Sequence, residues 1–318
     1  MPSRFNPVKI FSGNATRDLA DRIAKSFGQP LGRTTLSTFS DGELQPSFDE
    51  TVRGCDVFIV QSTIPPAENL MELLLMIDAA KRASAHYITA VIPYYGYARQ
   101  DRKDKPRVSI ASKMVADLIS SAGAGRIMTM DLHAPQIQGF FNIPVDHLDS
   151  SVIFVPHIAK RKSDDLIIAS PDIGGSKRAR QFAQDLDVGM VICDKHRKKA
   201  NQVSEMNIIG SVEGKDVVMV DDMIDTGGTL AKAANLMIEQ GAKSVSAYCT
   251  HPVLSKNAYD NIENSALDAL YVCDTIPIHQ EKTSKIKVLS SADLFAQAIR
   301  NVYEYGSISS LFDLNNEV

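Results

Sequence analysis

The chain has 318 residues, of which 44% are hydrophobic and 23% are charged, and its formal net charge at pH 7 is -4. This length allows two globular domains of ordinary size, and the acidic balance argues against a general nucleic-acid-binding protein, which usually has a basic excess. The cysteines at positions 55, 193, 249 and 273 have neither disulfide-like nor zinc-like spacing. No signal peptide opens the chain and no apolar run approaches the ~20 residues that span a bilayer, so we expect a cytoplasmic protein with buried thiols and no membrane partner.

Short aliphatic runs alternate with amphipathic helical patterns along the whole chain. Such runs predict strands buried on both faces of a parallel sheet, and the alternation predicts an α/β fold. The two halves have a similar layout and meet around residues 142–149. We therefore predict two tandem doubly wound domains with mostly parallel sheets, over residues 1–148 and 149–318. Strands are predicted at residues 9–11, 57–60, 88–93, 127–130, 166–170, 190–193, 217–220, 244–250 and 270–272.

The most informative stretch follows the predicted strand 217–220. It consists of an acidic pair, a glycine-rich turn and the start of a helix predicted over residues 230–239. The glycines allow positive φ and close approach of backbone N–H groups to an anion, which the positive end of the helix also favours. Carboxylates accept hydrogen bonds from sugar hydroxyls. The pattern predicts a ribose 5-phosphate site, with a helix-capping turn as the alternative. Its residues are Asp221, Asp222, Asp225, Thr226, Gly227, Gly228 and Thr229.

Two basic clusters also come directly after predicted strands. In residues 94–103, three tyrosines accompany Arg99, Arg102 and Lys103, and arginines in such a place suit a polyphosphate or stack on a base. Residues 194–202 contain four cations and a histidine within five positions, which excludes these five from a core. We interpret this second cluster as an exposed lid that closes on phosphates. A solvated charged loop is the alternative for both clusters.

Three smaller motifs lie in similar places. Asp41-Gly42 is a common hairpin signal, and on its own the stretch 39–43 indicates a turn. Asp131 and His133 follow the strand at 127–130, and alternation predicts that both lie on one face. Asp172 follows another strand and precedes two glycines and a helix, which repeats the acidic strand end described above. In open parallel sheets, ligands bind at the carboxyl ends of strands, so all these motifs are candidates for one kind of site.

Together the motifs resemble those of the ribose-phosphate pyrophosphokinases and occur in that family's order. The stretch 221–229 by itself is also similar to the loop of type I phosphoribosyltransferases. The stretches that carry the resemblance are residues 39–43, 97–102, 131–136, 170–172, 194–197 and 221–229. The resemblance implies two type I phosphoribosyltransferase-like domains. It implies transfer of the β,γ-pyrophosphoryl group of MgATP to the 1-hydroxyl of ribose 5-phosphate, giving phosphoribosyl pyrophosphate and AMP.

The resemblance also implies roles for individual residues. It implies ATP binding by Phe39, Asp41, Gly42, Glu43, Arg99, Gln100, Asp101 and Arg102, with Phe39, Asp41 and Glu43 on the adenine across a subunit boundary. It implies Mg²⁺ binding by His133 and Asp172, catalysis by Lys195 and Arg197, and ribose 5-phosphate binding by Arg197, Asp221, Asp222, Asp225, Thr226, Gly227, Gly228 and Thr229. It further implies a homohexamer that phosphate activates and ADP inhibits. For the general base, Asp222 and proton loss to solvent both stay open.

Two other functions compete with this one. A phosphoribosyltransferase that consumes the pyrophosphorylated sugar would not need the stretch 39–43 or the Arg99-Gln100 pair. A catalytically silent regulatory subunit should be damaged at Lys195, Arg197 or His133, or in the stretch 221–229, and all of these positions are intact. The lid departs from the family pattern at His196 and at residues 198–199, which leaves lid kinetics and effector response open.

Overall fold

The computed structural model describes residues 6–196, 205–279 and 282–313. The chain divides into two compact units. The first reaches to Asp149 and also takes up Ser290–Asp313, and the second comprises Ser150–Leu289. The last helix therefore belongs with the first unit, whereas the sequence division at 148/149 had assigned it to the second.

Each unit is built around one main sheet. The first has the strand order β1-β4-β5-β6-β7, all parallel, with β2 and β3 forming a separate antiparallel hairpin. The second has the order β10-β9-β8-β11-β12-β13-β14, with β10 alone antiparallel among its described strands. The strands are β1 (Val8–Ser12), β2 (Thr34–Thr38), β3 (Leu44–Phe48), β4 (Asp56–Val60), β5 (Tyr87–Ile92), β6 (Arg126–Met130), β7 (Val145–Leu148), β8 (Leu166–Ser170), β9 (Gly189–His196), β10 (Glu205–Ile209), β11 (Asp216–Ile224), β12 (Ser244–Pro252), β13 (Ala269–Cys273) and β14 (Ile286–Leu289).

Helices follow most of the strands, as the alternating pattern predicted. They are α1 (Arg17–Phe27), α2 (Glu68–Arg82), α3 (Ala111–Ala122), α4 (Ser151–Ala159), α5 (Ser176–Asp185), α6 (Gly228–Glu239), α7 (Ala258–Glu263) and α8 (Ala292–Tyr303). In the second unit, aliphatic residues of β11, β12 and β13 form a buried core with the apolar sides of α6 and α7. This core holds the carboxyl end of β11 and the turn before α6 in place. The predicted α/β class with mostly parallel sheets is confirmed.

In the second unit, β9 and β11 extend well past the carboxyl ends of the aliphatic runs that predicted them. β11 continues to Ile224, because β12 runs beside it as far as Pro252, so the acidic pair lies within the strand. β9 continues to His196 because β10 pairs with it, with Lys195 opposite Met206. The start of the predicted lid is therefore strand and not loop. A charged sequence does not reveal this pairing, since the partner strand supplies the hydrogen bonds.

In the first unit, the expectation that Asp131 and His133 lie on one face of a strand is wrong. β6 ends at Met130, and Asp131 has a φ of 38°, so strand alternation does not extend to His133. Asp131 is buried and His133 is exposed. Across the described ranges, no helix is long and apolar enough to cross a membrane.

Candidate active site

Asp221 and the glycine-rich turn line one pocket in the second unit. The pocket has a volume of about 180 Å³. Its walls come from the turn after β8, from β11 and β12 and from the first turn of α6, and its lining includes Asp172, Asp221, Asp225, Thr226 and Thr229. The second member of the acidic pair, Asp222, is not part of this lining. The carboxyl ends of parallel strands thus meet in one place, as the fold predicts. Gly227 has a φ of 71°, a left-handed conformation that favours glycine, directly before α6 begins at Gly228.

The carboxylates of Asp222 and Asp172 act electrostatically on that of Asp221. The N–H of Asp222 donates to Asp221 Oδ1 at 2.9 Å. Burial raises the pKa of Asp221 well above its ordinary value, and the charges of Asp222 and Asp172 raise it further. Groups that relieve this repulsion are hydroxyl donors and cations, which fits the predicted role of the pair toward a sugar.

Asp172 lies close to Asp221 although the two are far apart in the chain. A Cβ built on Gly175 would lie 3.7 Å from Asp172 Oδ1 and 3.9 Å from Asp221 Oδ1. The N–H of Gly175 donates to Asp172 Oδ1 at 2.9 Å, and Ser170 Oγ donates to the carbonyl of Asp172 at 2.6 Å. The turn between β8 and α5 is thereby fixed with its carboxylate toward the pocket. The prediction that Asp172 shares this strand-end layer agrees with this geometry.

The turn before α6 is held by hydrogen bonds from residues that the sequence pattern did not identify. Ser255 N–H donates to the carbonyl of Asp225 at 3.0 Å, and Ser255 Oγ donates to the Asp225 carboxylate. Asn261 Nδ2, on α7, donates to the carbonyl of Thr226 at 2.8 Å. These contacts join segments about 30 residues apart, and no local pattern in the sequence marks them.

The two predicted lid residues are only partly covered by the structure. The backbone of Lys195 belongs to β9. Arg197 lies outside the described residues. Their predicted catalytic roles therefore rest on the sequence and stay predictions.

The first unit carries the predicted ATP motifs. Residues 39–43 form the tip of the β2–β3 hairpin, where Phe39 N–H donates to Glu43 O and Gly42 N–H donates to Phe39 O, both at 2.9 Å. Gly42 has a φ of 99°, so the Asp-Gly turn predicted from the sequence is present. Phe39 is 50% exposed, and Asp41 and Glu43 are exposed beside it. An exposed aromatic ring flanked by two carboxylates is available to a partner from outside the unit.

The basic segment after β5 is anchored by buried tyrosines. Tyr94 and Tyr95 are buried, whereas Arg99, Gln100 and Arg102 are exposed. The segment approaches its neighbour so closely that a Cβ on Gly96 would lie 2.0 Å from the carbonyl oxygen of Thr63. Asp101, between these arginines, accepts a hydrogen bond from Gln136 Nε2 at 3.2 Å. The backbone directly before the arginines is therefore closely packed.

The turn that carries His133 is held by a hydrogen bond. Leu132 N–H donates to Nε2 of His147 at 2.9 Å, which ties the turn after β6 to β7. His147 was not among the predicted site residues. The described residues contain no group of three or more histidine, cysteine, aspartate or glutamate side chains arranged to hold a metal ion.

Comparison with known proteins decides the family. The N-terminal domain of ribose phosphate pyrophosphokinase matches residues 8–123, and the phosphoribosyl synthetase-associated domain matches residues 195–313. The ribose-phosphate pyrophosphokinase of Porphyromonas gingivalis is 56% identical over 308 residues, which cover 96% of this chain and 98% of the relative. This chain belongs to the ribose-phosphate pyrophosphokinase family.

Other members of the ribose-phosphate pyrophosphokinase family agree with this assignment. The Wolinella succinogenes protein is 58% identical over 305 residues, covering 96% of this chain and 98% of the relative. The crystal structure of phosphoribosylpyrophosphate synthetase from Mycobacterium smegmatis superposes with a TM-score of 0.89 at 42% identity, covering 94% of this chain and all of that one. The family predicted from the sequence is confirmed. Because a pyrophosphokinase domain matches the first half, the phosphoribosyltransferase alternative is disfavoured.

Proposed function

We propose that this chain is a ribose-phosphate diphosphokinase, which transfers the β,γ-pyrophosphoryl group of ATP to ribose 5-phosphate and releases AMP. The observation that supports the proposal is the pocket of the second unit, which Asp221 and residues of the glycine-rich turn line together. A turn with N–H donors at a helix start suits a phosphate, and carboxylates suit sugar hydroxyls. Ribose 5-phosphate carries both groups.

In this reaction the 1-hydroxyl of the sugar attacks the β-phosphorus in line and AMP leaves. Both reactants are anions, so the protein has to align them and compensate charge more than it has to form a covalent intermediate. We assign the sugar hydroxyls to Asp221 and Asp222 and the 5-phosphate to the turn 225–229. Lys195 and Arg197 are assigned to the charge that develops on the transferred and leaving oxygens.

The donor set of the pocket fits Mg²⁺. This ion prefers oxygen ligands and keeps several waters, so it needs few protein ligands and no complete cage. The carboxylates of Asp172 and Asp221 both approach the space above Gly175, and their mutual repulsion is what a cation would relieve. We propose that Asp172 and His133 each serve Mg²⁺, directly or through water. When bound, the ion would neutralise charge on the phosphates.

The remaining assignments concern ATP and assembly. We propose that Phe39, Asp41, Gly42 and Glu43 bind adenine across a subunit boundary, and that Arg99, Gln100, Asp101 and Arg102 bind the rest of the nucleotide. The exposed ring of Phe39 supports this assignment, because a base can stack on it. A homohexamer, activation by phosphate, inhibition by ADP and a cytoplasmic location belong to the same proposal.

The function is tested by measuring AMP formation from MgATP with and without ribose 5-phosphate. AMP that forms only with the sugar supports the proposal. ADP as the product would mean ordinary γ-phosphoryl transfer, and no nucleotide product would favour a silent regulatory subunit. Repeating the assay with and without phosphate tests the effector.

Two variants test the assigned roles. Lys195→Ala should lower kcat far more than it weakens ATP binding, and near-normal kcat would remove Lys195 from catalysis. His133→Ala should raise the Mg²⁺ concentration needed for half-maximal rate. An unchanged Mg²⁺ curve would remove His133 from the metal site.

A further inference from the structure

Three consecutive carbonyl groups of the turn before α6 are bound from one side. The carbonyl of Ile224 accepts from Leu254 N–H at 3.1 Å, and that of Asp225 accepts from Ser255 N–H at 3.0 Å. The carbonyl of Thr226 accepts from Asn261 Nδ2 at 2.8 Å. All the donors belong to the segment 254–261, which runs from the end of β12 into α7. This segment therefore fixes which way each of the three peptide groups points.

Because each peptide group is planar, the direction of a carbonyl also sets the direction of the next N–H group. In a trans peptide, the C=O of one residue and the N–H of the next point in opposite directions. The N–H groups of Asp225, Thr226 and Gly227 are thus directed away from the segment 254–261. For the N–H groups of Thr226 and Gly227, no acceptor lies among the residues that the structure describes. They are positioned as donors for an anion in the pocket.

The third carbonyl differs from the first two, because its donor is a side chain. The peptide between Thr226 and Gly227 is also the one most able to rotate, since Gly227 has a φ of 71° and no Cβ to restrict it. Behind Gly227 lie the carbonyl oxygen of Ala258, 3.4 Å from a built Cβ, and the side chain of Ile262, at 3.5 Å. These atoms lie at ordinary contact distance from a built Cβ and do not orient the peptide.

We infer that Asn261 is a positioning residue for sugar phosphate binding, because its side-chain amide holds the Thr226–Gly227 peptide with the Gly227 N–H toward the phosphate. Asn261 acts through the turn and touches neither reactant. This inference rests on the proposed function, since it takes the pocket to be the ribose 5-phosphate site. It predicts that a change at Asn261 affects one substrate and not the other.

The test compares Asn261→Asp with Asn264→Asp. The first exchange keeps the shape of the side chain but replaces the donor with a carboxylate that repels the carbonyl of Thr226. Asn264 directly follows α7, and its Nδ2 donates at 2.9 Å to the carbonyl of Asp260, which lies outside the turn. The two variants therefore have the same change of charge and the same type of lost hydrogen bond. Both full-length proteins are assayed for KM and kcat with each substrate, and ribose 5-phosphate binding is measured by calorimetry.

For Asn261→Asp, the loss of one hydrogen bond and the added repulsion should raise KM and Kd for ribose 5-phosphate roughly ten-fold. KM for ATP should stay unchanged, and Asn264→Asp should behave as the original protein. Equal KM and Kd for the sugar phosphate in the original protein and Asn261→Asp would overturn the inference, as would equal losses for both substrates. If the original protein formed no AMP, the proposed function would fail instead, so the two failures are distinct.

Discussion

The carboxylates of Asp172 and Asp221 approach the same point above Gly175, although they belong to different strand ends of the second unit. A Cβ at that point would lie 2.9 Å from Ser170 Oγ, 3.7 Å from Asp172 Oδ1 and 3.9 Å from Asp221 Oδ1. The small space at Gly175 therefore sets how closely the two acidic groups are placed. The hydroxyl of Ser170 contributes by holding the carbonyl of Asp172.

Replacement of Gly175 should disturb this arrangement without straining the backbone. Gly175 has a φ of -79°, which any residue adopts, so Gly175→Ala changes only the space. The methyl group would displace Ser170 Oγ and with it Asp172, and we expect a higher Mg²⁺ requirement for AMP formation. Gly189→Ala is the control, because its Cβ would meet only Ile167, at 3.7 Å. If both variants gave the Mg²⁺ curve of the original protein, Asp172 would not belong to the metal site.

Asp221→Asn should stabilise the protein while it weakens sugar binding. Burial and the charges of Asp222 and Asp172 raise the pKa of Asp221 in the folded state, so folding disfavours its ionised form. This cost grows as the pH rises above the ordinary pKa of 3.8 and is fully present once the pH exceeds the raised value. At pH 7.5 we expect the amide to raise Tm by about 2–4 °C.

A control of opposite sign is available at Asp165. Hydrogen bonds from Lys243 and Lys215 lower its pKa, so its charged form stabilises the folded state above its ordinary pKa. Asp165→Asn should not raise Tm at pH 7.5. A Tm gain for Asp165→Asn equal to that for Asp221→Asn would show that the repulsion at Asp221 is not the cause.

The chemistry of the turn could be predicted from the sequence, whereas its support could not. Gly227 and Gly228 follow an aliphatic strand and an acidic pair, and each of these features is local in the chain. Ser255 and Asn261 contact the turn only after β12 and α7 have folded beside it. An asparagine on a short helix carries no periodic signal, so only the three-dimensional structure identifies it.

Contacts between segments that are far apart in the chain explain the other differences between the predicted and the observed structure. Residues 194–196 are charged and predicted a loop, but their backbone pairs with β10, whose sequence shows no aliphatic run of its own. The alternation of strands and helices along the chain could not say which sheet its last helix joins. The structure places this helix, α8, with the first unit, against α1.

The contact between α8 and α1 gives a prediction about stability. Arg300 Nη2 donates to the carbonyl of Phe27 at 2.7 Å, and its guanidinium lies 4.8 Å from the centre of the Phe27 ring. We expect Arg300→Ala to cost about 1–2 kcal/mol and to speed hydrogen exchange in α1. In the matched control Arg82→Ala, the lost ion pair with Asp78 is exposed and should contribute little to stability. Equal exchange rates in α1 for both variants would contradict the role of Arg300.

A buried carboxylate in the first unit gives a prediction about pH. Glu72 is 4% exposed and accepts hydrogen bonds from Asn14 N–H at 3.1 Å and from Gln61 Nε2 at 2.7 Å. Burial raises its pKa in spite of these bonds. The folded state therefore holds this proton more tightly, and the contribution of Glu72 to stability falls as the pH rises from 4.5 through the raised value.

Urea unfolding of the original protein and of Glu72→Gln at several pH values measures this contribution. The difference in unfolding free energy should shift in favour of the glutamine variant from pH 4.5 toward pH 7. A difference that is constant over this range would mean that Glu72 has the same pKa in both states. Glu72→Ala should be less stable than either at every pH, because it removes the acceptor of the Asn14 N–H and of the buried Gln61 side chain.

In the proposed reaction, both outer phosphoryl groups of ATP move together to the sugar. ³¹P NMR of the products formed from MgATP and ribose 5-phosphate distinguishes this transfer from others. We expect equal amounts of AMP and of a sugar that carries a coupled diphosphate on its anomeric carbon. Equal amounts of ADP and a sugar with a single new phosphate would mean γ-phosphoryl transfer and would overturn the proposed function.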